Sequence, residues 1–299
     1  MAQLTKRSGR YGKALAALGA ASALAAGAAA PAAAATGQSA EQSGGARYVA
    51  LGDSYTSAPG VPTQVDENCA RSSVNYPSLV AAKLNQKSFK DVSCSGAKTD
   101  EMWREQGTNA PQLNALGKNT RLVTLGIGGN DIGFSGIIGT CAQLSASDPA
   151  GAPCQKQFTA GGTDQLTARI AEAAPKVASV LKAVHQRAPH ARVAVVGYPA
   201  IMPDSGVGCF PAVPIAAGDA AYLRDTEKHL NDMLRTEARK AHVGYVDTYG
   251  PTVGHDVCTP TADRWIEGAS PENPAAPFHP NAKGEQAMAG AVLGTLTKR

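Results

Sequence analysis

After residue 35 the chain has no apolar run long enough to span a membrane, no C-x-x-C pair, no internal repeat and no surplus of basic over acidic residues. The first absence leaves no anchor in the body of the chain. The second removes the usual signature of a structural zinc site, so no metal is expected and the six cysteines are expected to bond to one another. The charge balance is hidden at first by a formal +4 on the 299 residues. Four of the 28 Lys and Arg residues, Lys6, Arg7, Arg10 and Lys13, lie at the N-terminus with no acidic residue among them, which leaves 24 basic against 24 acidic residues. Nothing basic remains to argue for nucleic acid or an anionic membrane surface as a partner.

The basic cluster is followed by an apolar stretch from Ala14 to Ala30 and by Ala33-Ala34-Ala35. A basic start, an apolar middle and a small-residue end are the parts of a signal peptide, so residues 1–35 are expected to be removed on export. The stretch is Ala- and Gly-rich, too weakly apolar for an anchor. A flexible Gly/Ser/Gln linker is expected over 36–46, and one domain over 47–299. Six cysteines after the leader fit an oxidising, extracellular compartment, and they allow fifteen pairings that sequence alone does not separate. Pairing nearest neighbours keeps the Gly/Pro/Ser-rich loops separate and favours Cys69–Cys94, Cys141–Cys154 and Cys209–Cys258. A neutral, disulfide-linked product is expected to be a soluble monomer.

Short β-branched runs predict strands at Tyr48 to Leu51, Phe89 to Ser93, Arg121 to Leu125, Arg192 to Val196 and Val243 to Val246. Helices are predicted at Tyr76 to Leu84, Ala110 to Leu116, Thr163 to Arg187 with a kink at Pro175, Ile215 to Ala241, and Asn281 to about Leu296. Strands that alternate with helices imply parallel crossovers and a sheet covered on both faces, a single three-layer α/β domain. Ser147 to Gly162, Pro199 to Pro214 and Gly250 to Pro280 are predicted to be long loops, as is the shorter Ala58 to Pro62.

Open α/β sheets bind ligands beyond the carboxyl ends of their strands. The segments that follow the first three strands are Gly52-Asp53-Ser54-Tyr55-Thr56, Cys94-Ser95-Gly96-Ala97 and Gly126-Ile127-Gly128-Gly129-Asn130-Asp131. They bring a hydroxyl, a glycine amide and a carboxamide to one edge. Acyl transfer needs such a set: a nucleophilic oxygen, here Ser54, and donors for a developing oxyanion, here the N–H groups of Ser54 and Gly96 and the Asn130 amide. A base is also required. Of the six histidines, His185, His190 and His229 suit a helical surface, and His242 precedes a strand at its wrong end. His255 and His279 remain, both in long loops, and His279 leads into the last helix.

With these four blocks in this order, Gly52-Asp53-Ser54-Tyr55, Gly96 in its loop, Gly128-Gly129-Asn130-Asp131 and Phe278-His279-Pro280, the chain resembles the GDSL, or SGNH, hydrolases, and more closely their secreted actinobacterial lipase and esterase branch. The resemblance covers all of the chain after the leader. It implies a flavodoxin-like sandwich around a mostly parallel five-stranded sheet, the same three disulfides, Ser54 as nucleophile, His279 as base, and Gly96 and Asn130 as oxyanion donors. It implies no cofactor. The activity implied is hydrolysis of fatty acyl esters, with phospholipase and carbohydrate O-deacetylase as neighbours.

One feature departs from the family pattern. An Asp is usual three residues before the histidine, and Ala276 stands there. A main-chain carbonyl, that of Ala276, is expected to orient the imidazole, with Glu272 or Asp263 as remote alternatives. Asp53 and Asp131 are expected to cap local turns rather than to serve as the acid. Trp103, Trp265, Phe134, Ile137 and Ile138 are candidates either for an acyl pocket or for packing. A secreted binding protein without catalysis, or a disulfide-linked structural domain, is the rival of another class.

Overall fold

The computed structural model describes residues 46–297. The expected leader, 1–35, and all but the last residue of the expected linker, 36–46, lie outside the described residues. Five strands, β1 (Tyr48–Gly52), β2 (Phe89–Asp91), β3 (Leu122–Gly126), β4 (Arg192–Val196) and β5 (Gly244–Val246), form one parallel sheet in the order β2-β1-β3-β4-β5. This is the flavodoxin-like order, and the strand sequence reverses between β1 and β3. Six helices of seven or more residues surround it: α1 (Tyr76–Lys83), α2 (Phe134–Ser145), α3 (Pro153–Thr159), α4 (Gln165–Arg187), α5 (Asp219–Lys240) and α6 (Ala282–Thr297). Gln64–Asp66 and Arg71–Ser72 pair in a separate antiparallel ribbon.

The two-residue period of a strand sorts its side chains into two cores. Val49 and Leu51 of β1, Val123 and Leu125 of β3 and Val195 of β4 pack with Val177, Leu181 and Leu234 of α4 and α5. Tyr48, Ala50, Ala194 and Val196 pack instead with Val80 of α1 and Met288 and Val292 of α6. Strands covered on both faces read as continuous apolar runs, which is why they stand out in the sequence.

The elements that differ from expectation do so because distant residues decide them. Ala110 to Leu116 forms only a 3-10 turn, Gln112–Ala115, after Pro111. The Gln112 side chain there both accepts from the Gly52 N–H and donates to the Gly52 carbonyl, each at 2.8 Å, closing the end of β1. The stretch expected to be a loop over Ser147 to Gly162 contains α3. Its first N–H groups, those of Cys154 and Gln155, donate to the buried Asp219 carboxylate of α5 at 2.9 and 2.8 Å, a cap supplied from 65 residues away. Residue Asp219 is also where α5 begins, four residues later than Ile215, which is buried in the preceding loop. Helix α2 was missed too, because its start is a glycine, Gly133, in the left-handed region, without a side-chain cap. Helix α4 continues through Pro175, whose face is exposed, so the Ala171 carbonyl freed by the missing N–H faces water.

The three disulfides join Cys69 to Cys94, Cys141 to Cys154 and Cys209 to Cys258. The first holds the ribbon against the loop after β2, the second ties α2 to α3, and the third ties the loop after β4 to the loop before α6. Among the described residues no helix is long and apolar enough to cross a membrane.

Leu125 is fully buried at the centre of the sheet. Leu125→Ala is expected to lower the free energy of unfolding by about 3 kcal/mol, read from the denaturation midpoint with the disulfides intact.

Candidate active site

The site begins where β1 ends. A Cβ on Gly52 would collide with the Thr56 side chain and the Gly126 carbonyl, so only glycine lets the chain turn here against β3. One helical turn follows, Ser54–Ser57, with Asp53 as its N-cap accepting from the Tyr55 N–H at 3.0 Å. The turn aims the Ser54 hydroxyl into the crevice between the carboxyl ends of β1 and β3, where the strand order reverses.

His279 reaches this hydroxyl from the far end of the chain: its Nε2 lies 2.8 Å from Ser54 Oγ. The ring nitrogen Nδ1 lies 2.7 Å from the carbonyl oxygen of Pro277. A carbonyl only accepts, so the proton is on Nδ1 and Nε2 is left to accept from Ser54. This corrects the expectation at Ala276. The Ala276 carbonyl accepts the main-chain N–H of His279 at 3.2 Å, which closes a tight turn and leaves the Pro277 carbonyl to face the ring. Phe278, within that turn, has φ of 60°, an unfavourable conformation for a bulky residue. Two bonds hold it there: its N–H donates to the Glu267 carbonyl at 3.1 Å, and its carbonyl accepts from the Tyr55 hydroxyl at 2.6 Å. The Tyr55 ring also stacks on the imidazole, with centroids 4.6 Å apart.

Neither remote acid approaches His279. The Glu272 carboxylate pairs with Arg264 at 3.3 Å, and Asp263 offers its main-chain carbonyl to His255 Nδ1 at 2.6 Å. His255 is stacked on Trp265, with centroids 3.5 Å apart, and takes no part in the Ser54 cluster. A carboxylate that sequence reasoning overlooked does the structural work in this loop. Glu267, fully buried, accepts from the N–H groups of Glu272 and Asn273 and from the side-chain amides of Asn273 and Asn281. These bonds hold its carboxyl below the usual range against the cost of burial. Glu267 stands between Trp265-Ile266 and Gly268-Ala269, and no local pattern marks it as such a hub.

Each of the three expected donors keeps a hydrogen that is not bonded among the described residues. The N–H groups of Ser54 and Gly96 have no acceptor among the described residues. Gly96 has φ of 81°, a left-handed conformation that suits glycine. The Asn130 amide donates one hydrogen to the Ala97 carbonyl at 2.9 Å, which fixes the side chain and leaves its second hydrogen free. Asp131 is not a local turn cap. It accepts from the N–H and hydroxyl of Thr99, 32 residues away, and so ties the Asn130 loop to the Gly96 loop. Asp53 does cap locally, and its second oxygen also accepts from the Tyr198 hydroxyl at 2.5 Å, which in turn accepts from the Gly129 N–H at 2.7 Å. Burial, opposed by these bonds, pushes the Asp53 carboxyl up to about 7.

Next to Ser54 opens an apolar cavity with roughly 610 Å³ of empty space, its open mouth included. Phe134, Ile137 and Ile138 line it; Trp103 and Trp265 do not. Trp103 is instead an exposed residue at the end of a 3-10 turn, and Trp265 packs on His255.

A hydroxyl, an imidazole and free N–H groups gathered at the switch point of a doubly wound sheet are the parts of an ester hydrolase. The chain belongs to the GDSL-like lipase/acylhydrolase family, whose sequence pattern matches residues 50–287. It is 41% identical to Lipase 2 of Streptomyces coelicolor over 255 residues, which covers 83% of this chain and 85% of that protein. Among solved structures it is similar to phospholipase A1 from Streptomyces albidoflavus NA297, at 28% identity and a TM-score of 0.71 over 84% of this chain and 99% of that one. The extracellular lipase from Streptomyces rimosus matches at 27% identity and a TM-score of 0.70, over 83% and 98%. The protein is a carboxylic ester hydrolase of the lipase/esterase type.

Burial of the ring lowers the His279 pKa below its ordinary 6.5, with the Pro277 carbonyl opposing only in part. An NMR titration of the His279 imidazole is therefore expected to give a midpoint below 6.5; a midpoint above it would require a carboxylate partner in solution.

Proposed function

We propose that the protein is a secreted lipase or esterase that cleaves fatty acyl esters through an acyl-enzyme on Ser54. The observation that carries this reading is the 2.8 Å contact between Ser54 Oγ and His279 Nε2 beside the apolar cavity. Ser54 Oγ attacks the acyl carbonyl while His279 Nε2 takes its proton. The N–H groups of Ser54 and Gly96 and the free Asn130 hydrogen stabilise the oxyanion, and the imidazolium gives its proton to the departing alcohol. Water activated by His279 then attacks the acyl carbonyl, Ser54 regains the proton, and the carboxylic acid leaves.

The orienting group is the Pro277 carbonyl, which makes a Ser–His dyad with main-chain support. A dipole holds the tautomer as a carboxylate would but does less to stabilise the imidazolium, in keeping with the lowered pKa. With the Pro277 carbonyl orienting the imidazole, the absence of an acid at position 276 does not favour a binding protein without catalysis. No metal or other cofactor has a part in these steps. Export is supported by the leader-like residues 1–35 and by three disulfides. The apolar cavity favours longer acyl groups over acetyl.

Hydrolysis of p-nitrophenyl esters from acetyl to long-chain acyl tests the reading. Activity is expected to peak above acetyl and to fall at least about 10³-fold in Ser54→Ala. Full activity in that variant would remove Ser54 from the mechanism, and an acetyl optimum would favour a deacetylase. Glu272→Gln and Asp263→Asn are expected to keep most of kcat, whereas a loss of several orders of magnitude would make that residue the orienting acid.

His279 must be neutral to accept the proton, so kcat/KM is expected to rise with pH along a limb that coincides with the His279 midpoint, below 6.5, and then level off. A limb centred near 7 would report the Asp53 carboxyl instead.

A further inference from the structure

Glu227, on the buried face of α5, lines the same cavity as Ser54, Phe134 and Ile137. The other hydroxyls lining it are engaged. Thr226 donates to the Tyr222 carbonyl at 2.9 Å, and the Tyr198 hydroxyl bridges Asp53 and the Gly129 N–H. Glu227 is only 8% exposed, and its two oxygens differ. Oε2 accepts from the Ile201 N–H at 3.1 Å, while Oε1 is buried with no hydrogen-bond partner among the described residues.

A carboxyl in such surroundings is driven toward its neutral form. Burial and the nearby Asp256 raise it well above the usual carboxylate range, against the Ile201 and Met202 N–H groups and Lys228. In the neutral acid, with Oε2 engaged by the Ile201 N–H, the partnerless Oε1 is the oxygen placed to carry the proton. In that form the cavity wall holds a hydroxyl donor without an acceptor, beside apolar side chains such as Leu223 and Leu230. A buried donor of this kind is a cost to the empty enzyme that a suitable ligand atom removes.

We propose that Glu227 is a specificity-determining residue that donates a hydrogen bond to an oxygen carried on the acyl chain, so that the enzyme favours hydroxylated fatty acyl esters over plain chains. The proposal rests on the reading of the cavity as the acyl site of a Ser54 hydrolase. It separates two kinds of discrimination. Apolar walls sort chain length weakly, methylene by methylene, whereas a buried polar group rejects a substrate that leaves it unpaired.

The test compares p-nitrophenyl octanoate with its isomers hydroxylated at successive carbons, each as kcat/KM in one enzyme, so that any general loss of activity cancels in the ratio. In the wild-type protein one hydroxylated isomer is expected to exceed plain octanoate by about fivefold. Glu227→Leu is expected to bring that ratio below one. Glu227→Gln, whose amide keeps a carbonyl for the Ile201 N–H and an N–H for the cavity, is expected to retain most of the preference. Equal or lower rates for every hydroxylated isomer in the wild type overturn the proposal, as does a preference that survives in Glu227→Leu. If Glu227→Leu does not fold, the wild-type ratio and its retention in Glu227→Gln decide. Loss of plain octanoate hydrolysis in Ser54→Ala reports separately on the underlying reading: a serine hydrolase without the hydroxyl preference rejects only the role of Glu227.

Discussion

The contact between Ser54 Oγ and His279 Nε2 joins residues 225 positions apart, and much of the loop structure exists to hold it. Neither partner is fixed by its own neighbours alone. Ser54 stands on a single helical turn that depends on the Asp53 cap and on the Gly52 turn, itself clamped by Gln112. His279 stands next to Phe278, whose left-handed conformation is sustained by Tyr55 and by the Glu267 main chain. Tyr55 links the two sides: it is adjacent to Ser54 in sequence, bonds the Phe278 carbonyl and stacks on the imidazole. A small shift of the His279 loop would break these contacts together, because one aromatic side chain serves both.

The missing acid gives the site its electrostatic character. A carboxylate at position 276 would raise the imidazole pKa and stabilise the imidazolium by charge. The Pro277 carbonyl supplies direction with only a dipole, and burial then lowers the pKa. The imidazole is the less basic for it, and its neutral form persists to lower pH. Charge is placed around the site rather than in it. Glu267 organises the loop before His279, Asp131 joins the Asn130 loop to the Gly96 loop, and Asp53 and Tyr198 form a buried pair beside Ser54.

The parallel sheet was legible because its strands are buried on both faces and therefore read as apolar runs, and its order put the ends of β1 and β3 at the crevice. Helices α2 and α3 were not legible. One starts without a side-chain cap, and the other takes its cap from Asp219 on a different helix, so no local signal marks either beginning. The expected helix at Ala110 to Leu116 failed for a related reason: Gln112 is committed to Gly52, sixty residues away.

The sequence by itself determined the strand and helix alternation, the candidate groups Ser54, Gly96 and Asn130, and the absence of an acid at position 276, since these depend on residue type and local spacing; it left His255 and His279 both open, and the family resemblance pointed to His279. Tertiary structure decided that Pro277 rather than Ala276 faces the imidazole, that Tyr55 and Glu267 hold the loop, that Asp131 reaches Thr99, and that Glu227 stands in the wall of the apolar cavity beside Ser54. Each of these is a hydrogen bond or a burial, between residues that lie from two positions apart (Pro277 and His279) to 223 (Tyr55 and Phe278). Its energy depends on which groups the fold brings within about 3 Å, and no local pattern in the chain encodes that distance.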